Sequence, residues 1–396
     1  MQIAYTKEQE ELRAELQEYF GKLMTPEVQA NLFAGRGGEY GGSDAYRSIV
    51  EQMGKDVWLG IGWPTEYGGQ ARSMMEQLIF TDEASIHGAP VPFLTINSVG
   101  PTIQQYGTED QKQKFLRPIL EGKLHFSIGY SEPGAGTDLA SLTTRAVRDG
   151  DEYVINGQKM WTSLIEYADY IWLAVRTDPD VPKHKGLSIL LVPTDVPGFK
   201  WNRVNTVGGV GTSATFYEDV RVPVENVVLG ENQGWKLITN QLNHERVALC
   251  SAAGIQQSLH ETRYWAQNTK LADGRRVIDQ EWVQVNLARV HAKLEVLRLM
   301  NWKVAWSETA GMLNPADASA TKVYGTELYT EAYQLLLEIL GPAGSFKRGS
   351  EAAALQGSLE RAYQGTLILT FGGGTNEVQR DLIAIFGLSM PRSIST

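Results

Sequence analysis

The middle of the sequence is a run of short strand-like segments between two long helix-like regions. Its apolar residues recur with a period of two or form continuous β-branched runs, which is typical of strands. Turn pairs such as Asn156-Gly157 separate the segments. Because no helix-length pattern interrupts them, we predict an antiparallel β-domain. Its predicted strands are Leu124–Tyr130, Thr143–Asp149, Tyr153–Lys159, Tyr170–Arg176, Gly186–Pro193 and Ala214–Pro223.

Helical patterns fill the chain on both sides of this β-domain. Thr6 and Gln9 have the spacing of a capping box, and the apolar residues after them predict an amphipathic helix that ends near Pro26. The helices predicted after residue 233 are long enough for a four-helix bundle. Further predicted helices are Tyr46–Leu59, Ser73–His87, Asn97–Tyr106 and Glu109–Glu121 before the strands, and Trp235–Thr269, Ile278–Thr309, Pro315–Leu340 and Glu351–Thr370 after them.

The length of 396 residues exceeds what one hydrophobic core usually supports, so more than one domain is expected. We predict an α+β chain made of an N-terminal helical domain (1–122), a middle β-domain (123–232) and a C-terminal helical bundle (233–396).

Composition excludes several classes of protein. The formal net charge of −10 argues against a nucleic-acid-binding surface, which needs clustered Lys and Arg. With Cys250 as its single cysteine the chain has no internal disulfide framework. The first residues lack a signal-peptide pattern, and no run of about 18 apolar residues occurs. We therefore expect a cytoplasmic protein.

Three common chemistries fail on specific residues. The segment that begins Gly134-Ala135-Gly136 lacks the third glycine of a dinucleotide fingerprint and has no βαβ unit around it. Pro133 occupies the last glycine position of a hydrolase nucleophile elbow. His244 could open a zinc-protease helix, but Ala248 stands where the second histidine is needed. The remaining histidines have no ligand spacing, so we predict no metal.

The segment Ser131–Leu142 concentrates chemically useful groups. It combines hydroxyls, two acids, small residues and Pro133 in one turn, and the backbone N–H groups after the proline are available to a planar or anionic ligand. The alternative interpretation is an ordinary glycine-rich surface turn.

Three further stretches could complete a site. Gly157–Ser163 ends a strand with an indole and two hydroxyls, which suit a flat heteroaromatic ring. Asn243–Arg246 places an acid beside an arginine in a long helix, where a structural ion pair is the alternative. Phe371–Arg380 contains three successive glycines, which indicate either a backbone close to a ligand or a helix C-cap.

Taken together, SEPGAGTDLASL, NGQKMWTS and GGGTNEVQRD resemble the acyl-CoA dehydrogenase family over essentially the whole chain. The resemblance implies an N-terminal helical domain, a middle β-domain, a C-terminal four-helix bundle and FAD in a cleft between subunits. It implies these contacts: Tyr130 and Ser131 on one side of the isoalloxazine, Trp161 and Ser163 near its other face and N5, Thr137 near the thioester and pantetheine arm, and Thr375 and Glu377 near the nucleotide part of FAD.

The family reaction implies a carboxylate base. An α-proton of an acyl-CoA leaves as the β-hydrogen passes as hydride to flavin N5, which gives a trans-2-enoyl-CoA. Most members carry the base immediately before the Gly-Thr of the last motif, where this chain has Gly373. A minority place it in a Glu-Arg pair on the first bundle helix, which Glu245 and Arg246 match. We expect Glu245 to be the base, Arg246 to help hold the loop and the carboxylate, and Gly373 to widen the pocket for a bulky acyl group.

The chain departs from the family where FAD's pyrophosphate and adenine are usually clamped. Asn268, Leu271 and Ala272 replace an Arg-x-x-Phe-Gly segment, and Glu338 replaces a glutamine. An arginine lost and a carboxylate gained should repel a diphosphate. We therefore expect a paralogous second subunit to supply the clamp. This chain resembles the base-bearing subunit of the actinobacterial steroid acyl-CoA dehydrogenases, and the resemblance implies an α2β2 heterotetramer. A homotetramer is the alternative.

The resemblance leaves the acyl group and the electron acceptor open. A steroid side-chain acyl-CoA is the first expectation and a branched or medium-chain acyl-CoA the second. Electron-transfer flavoprotein is the expected acceptor. A non-catalytic flavin-binding or scaffolding subunit and an acyl-CoA oxidase remain alternative functions.

Overall fold

A computed structural model describes residues 3–34, 43–208, 211–248 and 250–392, with only the backbone of residues 33, 34, 43 and 242–248. The N-terminal part is helical. Thr6 and Gln9 form the predicted capping box, with the Gln9 amide N donating to Thr6 Oγ1 at 3.3 Å. The helices are α1 (Lys7–Leu23), α2 (Pro26–Ala34), α3 (Ser43–Lys55), α4 (Met74–Ile86), α5 (Gly100–Tyr106) and α6 (Glu109–Leu120), with a π-helical turn, Thr95–Val99, leading into α5.

The described strands form one sheet of seven: β1 (Phe126–Gly129), β2 (Arg145–Asp149), β3 (Glu152–Lys159), β4 (Tyr170–Arg176), β5 (Leu187–Pro193), β6 (Phe199–Val204) and β7 (Thr212–Pro223). Strand order along the sheet is β1-β4-β2-β3-β7-β6, with β5 paired to β4.

The prediction of a purely antiparallel sheet is wrong for two contacts. β1 pairs in parallel with β4, from Phe126 opposite Tyr170 to Gly129 opposite Leu173, and β2 meets β4 in parallel at one pair. The β2–β3 hairpin lies between β1 and β4 in the chain, which gives the connection the length that a parallel pair needs. As a result, the segment after Gly129 leaves the sheet at the same end as the carboxyl end of β4.

The C-terminal part is helical again. Its helices are α7 (Gly234–Ala248), α8 (Ala253–Asn268), α9 (Glu281–Thr309), α10 (Pro315–Leu340), α11 (Ser358–Thr366) and α12 (Asn376–Leu382). Helix α10 is central, since α7, α8, α9, α11 and α12 all pack against it.

Two predicted helices are shorter than expected. The pattern over Trp235–Thr269 is interrupted, because Asn301 Nδ2 donates to the Cys250 carbonyl at 2.7 Å and Tyr329 Oη donates to the Ser251 carbonyl. These side chains come from α9 and α10 and bind backbone groups between α7 and α8. The last predicted helix begins only at Ser358, because the residues before it, Leu355, Gln356 and Gly357, have positive φ angles.

The buried residues form three apolar clusters. One joins the N-terminal helices to one face of the sheet, a second fills the opposite face, and a third lies among α8, α9 and α10. Leu237 and Ile238 of α7 belong to the first cluster and are fully buried. Helix α7 is therefore packed against the N-terminal helices and the sheet as well as against α10.

Candidate active site

The segment Tyr130–Leu142 is fixed at both ends. At its start Lys159 Nζ donates to the Tyr130 carbonyl at 3.0 Å. At its end the guanidinium of Arg176 donates to the carbonyls of Ala140 and Leu142 at 2.5 and 3.1 Å. Apart from Ala135, residues 133–138 are exposed, so Thr137 faces solvent. The result is a rigid loop with an open central part.

A buried ion pair lies beneath this loop. Lys159 Nζ is 2.9 Å from Glu132 Oε1, and the backbone N–H groups of Thr143 and Thr144 donate to the same carboxylate at 2.7 and 2.9 Å. Although burial acts to raise it, the ammonium group and these hydrogen bonds lower the pKa of Glu132 to about 2. Burial lowers the pKa of Lys159 to about 8, against the attraction of Glu132. Glu132 is thus a structural anion rather than a proton acceptor.

The loop that carries the second motif, Met160–Ser163, lies beside the first motif loop, Tyr130–Leu142. The Met160 N–H donates to the Ser131 carbonyl at 2.8 Å, and the Thr162 N–H donates to the Ser213 carbonyl of β7 at 2.9 Å. Ser127 Oγ of β1 donates to the Ser163 carbonyl at 2.7 Å. The structure therefore brings Tyr130 and Ser131 together with Trp161 and Ser163, as the motifs predict.

Trp161 is held in an unfavourable backbone conformation. Its φ is +66°, in the left-handed region that non-glycine residues seldom adopt, and its side chain is 55% exposed. The hydrogen bonds of Met160 and Thr162 on either side fix this geometry. The backbone strain together with the exposed indole makes Trp161 a candidate for contacting a ligand.

These residues fit the ring of a flavin. A Cβ placed on Gly134 or Gly136 would meet nothing within 4 Å, so the loop surface is open to close approach by a ligand. The hydroxyls of Ser131 and Ser163 and the exposed indole of Trp161 provide hydrogen-bonding groups and a flat apolar surface. This donor set suits a planar heteroaromatic ring.

Helix α7 is attached to the first loop by a buried amide. Gln241 is fully buried, its Oε1 accepts from Tyr130 Oη, and its Nε2 donates to Ser98 Oγ at 2.5 Å. Position 245 follows Gln241 by one helical turn on the same face of α7. The side chains of Glu245 and Arg246 lie outside the described residues, so their assigned roles remain predictions.

The third motif forms the turn before α12. Gly373 and Gly374 have φ angles of +66° and +94°, and Thr375 caps α12 by accepting from the Val378 N–H at 3.3 Å. Gly373 therefore has a backbone reason to be glycine, besides the space it leaves. Glu377 is exposed on the first turn of α12.

A buried lysine connects this turn to the end of α7. Lys322 Nζ, on α10, donates to the Gly374 carbonyl and to Asn376 Oδ1, both at 2.8 Å. The Lys322 carbonyl lies 3.9 Å from Cys250 Sγ, just after α7. Lys322 therefore contacts both the turn of the third motif and the segment that follows α7.

The residues at the usual nucleotide clamp do not fit a diphosphate. Asn268 donates its amide to the Tyr264 carbonyl at 2.7 Å, and the carboxylate of Glu338 accepts from Asn286 at 3.0 Å. The two arginines of the following turn are paired with its own acids, Arg275 with Asp273 at 2.7 Å and Arg276 with Asp279 at 2.6 Å. This surface offers a diphosphate a carboxylate and two neutralised cations.

Sequence reasoning missed Lys159, Gln241 and Lys322 as parts of the site. Lys159 had a detectable signal, because in β3 it shares the inward side of the alternation with Tyr153 and Ile155. Gln241 and Lys322 had none, since their importance comes from partners far away in the sequence.

Two observations concern other classes of site. Within the described ranges, no group of three or more His, Cys, Asp or Glu side chains is arranged to hold a metal ion. Over the same ranges, no helix combines the length and apolar character needed to cross a bilayer.

Comparisons with known proteins agree with this architecture. Three family models match in succession: acyl-CoA dehydrogenase N-terminal domain (residues 6–123), middle domain (127–220) and C-terminal domain (232–387). Acyl-CoA dehydrogenase FadE26 of Mycobacterium tuberculosis is 63% identical over 99% of this chain and 100% of its own. A chain of the ChsE4-ChsE5 complex from Mycobacterium tuberculosis superposes with a TM-score of 0.93 at 63% identity, covering 99% of this chain and 100% of that chain. A chain of the Tcur3481-Tcur3483 steroid ACAD also gives 0.93, at 50% identity and with the same coverage.

Proposed function

Because this chain belongs to the acyl-CoA dehydrogenase family of oxidoreductases, we propose that it catalyses FAD-dependent α,β-dehydrogenation of a bulky acyl-CoA to the trans-2-enoyl-CoA, with Glu245 as the base. The observation that carries this proposal is the joining of the two motif loops to α7. The Met160 N–H holds the second loop on Ser131, and Gln241 holds α7 on Tyr130.

Each part of the site has a distinct role in the proposal. Ser131, Ser163 and the indole of Trp161 orient the isoalloxazine of FAD, which supplies the hydride acceptor when bound. Glu245 removes the α-proton of the thioester, and a dry site would raise its pKa toward neutrality. Arg246 helps hold that carboxylate. Thr137, which is exposed within the first motif loop, contacts the thioester or pantetheine arm.

The substrate class follows from Gly373. A glutamate at this position would project beside the acyl chain, so glycine enlarges the space there. A steroid side-chain acyl-CoA is therefore the first candidate, and the Tcur3481-Tcur3483 relative is itself titled a steroid ACAD. A branched or medium-chain acyl-CoA is the second candidate.

A paralogous subunit completes the cofactor site in this proposal. The carboxylate of Glu338 and the two ion-paired arginines near Asn268 disfavour a diphosphate on the described part of that surface. The ChsE4-ChsE5 relative is a complex of two proteins. We expect a similar partner in an α2β2 assembly, Thr375 and Glu377 near the nucleotide part of FAD, and electron-transfer flavoprotein as the acceptor.

The decisive experiment uses the complex co-expressed with the paralogous subunit. Under anaerobic conditions, a steroid side-chain acyl-CoA should bleach the flavin faster than medium-chain and branched acyl-CoAs do. Glu245→Gln should slow bleaching by about 10³-fold and keep bound FAD, because it removes a general base but no cofactor contact. Glu331→Gln, which removes a carboxylate of α10 that pairs with Lys293 outside the predicted site, should keep the bleaching rate.

The two alternative functions give different outcomes in the same experiment. Full bleaching in Glu245→Gln would contradict the assigned base, and no bleaching of the wild-type complex by any acyl-CoA would favour a scaffolding subunit. Rapid reoxidation on admitting air would identify an oxidase. The chain expressed alone should bind little FAD, and one tightly bound FAD per subunit in a homotetramer would contradict the shared site.

A further inference from the structure

We propose that Gln241 is a positioning residue. It fixes the rotation of helix α7 against the first motif loop and so determines the position of Glu245. The inference rests on the proposed function, because it assumes that Glu245 is the base. It concerns four residues, Trp172, Tyr130, Gln241 and Ser98, which we call the Gln241 network.

The network joins three separate parts of the fold. Trp172 is on β4, Tyr130 begins the first motif loop, and Ser98 lies in the π-helical turn before α5. Gln241, on α7, bonds to Tyr130 and Ser98 directly and to Trp172 only through Tyr130. Gln241 and Trp172 are fully buried. Ser98 is 1% exposed. Tyr130 is partly buried, so the bond best shielded from water is the one between Gln241 and Ser98.

The hydrogen bonds of the network run in one direction. The indole N–H of Trp172 is only a donor, and it donates to Tyr130 Oη at 3.0 Å. The hydroxyl proton of Tyr130 is then available to Gln241 Oε1, which leaves Gln241 Nε2 to donate to Ser98 Oγ at 2.5 Å. The bond from Tyr130 thus assigns the orientation of the Gln241 amide, because the Ser98 hydroxyl can either donate or accept. A flipped amide would set donor against donor at Tyr130.

This arrangement sets the rotation of α7. Successive residues of an α-helix point about 100° apart, so Gln241 meets both Tyr130 and Ser98 in one rotational setting of the helix. Position 245 lies one turn later on that face. If the amide bonds are lost, Leu237 and Ile238 still bury α7 in the first apolar cluster, but apolar contacts are not directional. The helix then stays folded while its exact rotation is no longer specified.

Catalysis depends on that rotation more than binding does. A displacement of about 1 Å at a reacting group lowers a rate by about 100-fold. In the proposed function, binding of the CoA part involves residues outside α7, such as Thr137, and is less affected. The network thus predicts a loss in kcat with little change in KM.

The test uses the co-expressed complex and anaerobic flavin reduction. Gln241→Leu should lower the limiting rate about 10- to 100-fold, with less than about a threefold change in half-saturating acyl-CoA. Gln241→Glu should recover part of the rate, since a carboxylate still accepts from Tyr130 Oη and also accepts from Ser98 Oγ once that hydroxyl turns to donate. Tyr130→Phe removes the same bond, so the double variant with Gln241→Leu should be no slower than the slower single variant.

A matched control separates positioning from general loss of stability. Asn226 is also a buried amide, donating to the Leu191 carbonyl at 2.7 Å, but it takes no part in the Gln241 network. Asn226→Leu should lower the Tm and keep the limiting rate. An equal loss of rate in Asn226→Leu and Gln241→Leu would overturn the proposal, and so would additive effects of Tyr130→Phe and Gln241→Leu.

Hydrogen exchange distinguishes this proposal from the base assignment. In Gln241→Leu, the amides of α7 after residue 241 should exchange about tenfold faster, whatever residue is the base. Unchanged exchange in α7 would overturn the positioning role. Full activity of Glu245→Gln would overturn the base assignment instead.

Discussion

The ammonium group of Lys159 and the carboxylate of Glu132 are 2.9 Å apart in the interior, with side-chain exposures of 0% and 5%. Glu132 belongs to the first motif loop, and Lys159 immediately precedes the Met160–Ser163 segment of the second. Lys159 also donates to the Tyr130 carbonyl at 3.0 Å. One buried ion pair therefore holds both motif loops in place.

Lys159→Met should destabilise the fold by about 3–5 kcal/mol, because it leaves Glu132 charged and unpaired in the interior. The double variant Lys159→Met/Glu132→Gln should recover part of this loss. The pKa of Glu132 is lower in the folded chain, about 2, than the ordinary value of 4.5. Its stabilising contribution is therefore present above about pH 4.5 and lost as the pH falls toward 2. Denaturant unfolding between pH 3 and 8 measures both effects, and a double variant less stable than Lys159→Met would contradict them.

Trp161→Gly should separate stability from cofactor binding. The indole is 55% exposed and its φ is +66°, so glycine should keep or raise stability by up to about 1 kcal/mol. Loss of the aromatic surface should weaken FAD binding about three- to tenfold. Thermal unfolding of the apo complex and FAD titration measure the two effects, with Trp161→Phe as the control that keeps an aromatic ring. A large drop in Tm with unchanged FAD affinity would show that Trp161 is structural.

Asp82→Asn should stabilise the chain at neutral pH. Asp82 lies at a cavity of about 110 Å³ that is also lined by Tyr5 and Arg298, and it accepts from Ser251 Oγ at 2.5 Å. Burial raises the pKa of Asp82 to about 6, against this hydrogen bond.

The sign of the Asp82 effect follows from proton linkage. The pKa of Asp82 in the folded chain exceeds its ordinary value of 3.8. The contribution of Asp82 to folding stability is therefore fully present below pH 3.8 and is lost as the pH rises through about 6. Asp82→Asn should therefore gain about 2 kcal/mol at pH 8 and little at pH 3.5. Thermal unfolding at several pH values measures the difference, and a less stable variant at pH 8 would contradict the linkage.

Restoring the nucleotide clamp should increase FAD binding by the chain expressed alone. The pair Asn268→Arg/Glu338→Gln adds a cation and removes a carboxylate where the family clamp is missing. We expect FAD affinity to rise about tenfold, which corresponds to about 1.4 kcal/mol of added attraction. Bound flavin after gel filtration gives the measurement. Glu331→Gln removes another acid from α10, one that pairs with Lys293, and should leave the flavin content unchanged.

Sequence patterns predicted the elements whose signals are local. Helix α10 runs over the predicted Pro315–Leu340, because Asn314 caps it and Pro315 suits the first helical position. Strand β6 was missed because none of its six residues is buried and its apolar residues, Phe199, Trp201 and Val204, do not keep a period of two. The break between α7 and α8 was missed because Asn301 and Tyr329, which bind it, are far away in the sequence.

The candidate site also has parts that the sequence predicted and parts that depend on residues far away in the chain. The motifs predicted that the Tyr130–Ser131 and Trp161–Ser163 segments would act together, and the Met160–Ser131 hydrogen bond joins them. Gln241 was not predicted, since a glutamine in a helix reads as a surface residue until its two partners are known. The assignment of Glu245 as base rests on a family resemblance and on its helical position, and it stays a prediction.

The parallel pairing of β1 with β4 imposes an order on folding. β1 cannot complete its ladder with β4 until the chain through Leu173, which includes the whole β2–β3 hairpin, has been synthesised. The loop after β1 gains one more hydrogen bond when α7 is in place, because Gln241 accepts from Tyr130 Oη. A fragment that ends before residue 234 would keep the contacts of Lys159 and Arg176 with the Ser131–Leu142 segment but would lack this bond. The Tyr130 end of the loop is therefore completed by the C-terminal bundle rather than by the β-domain that carries the motif.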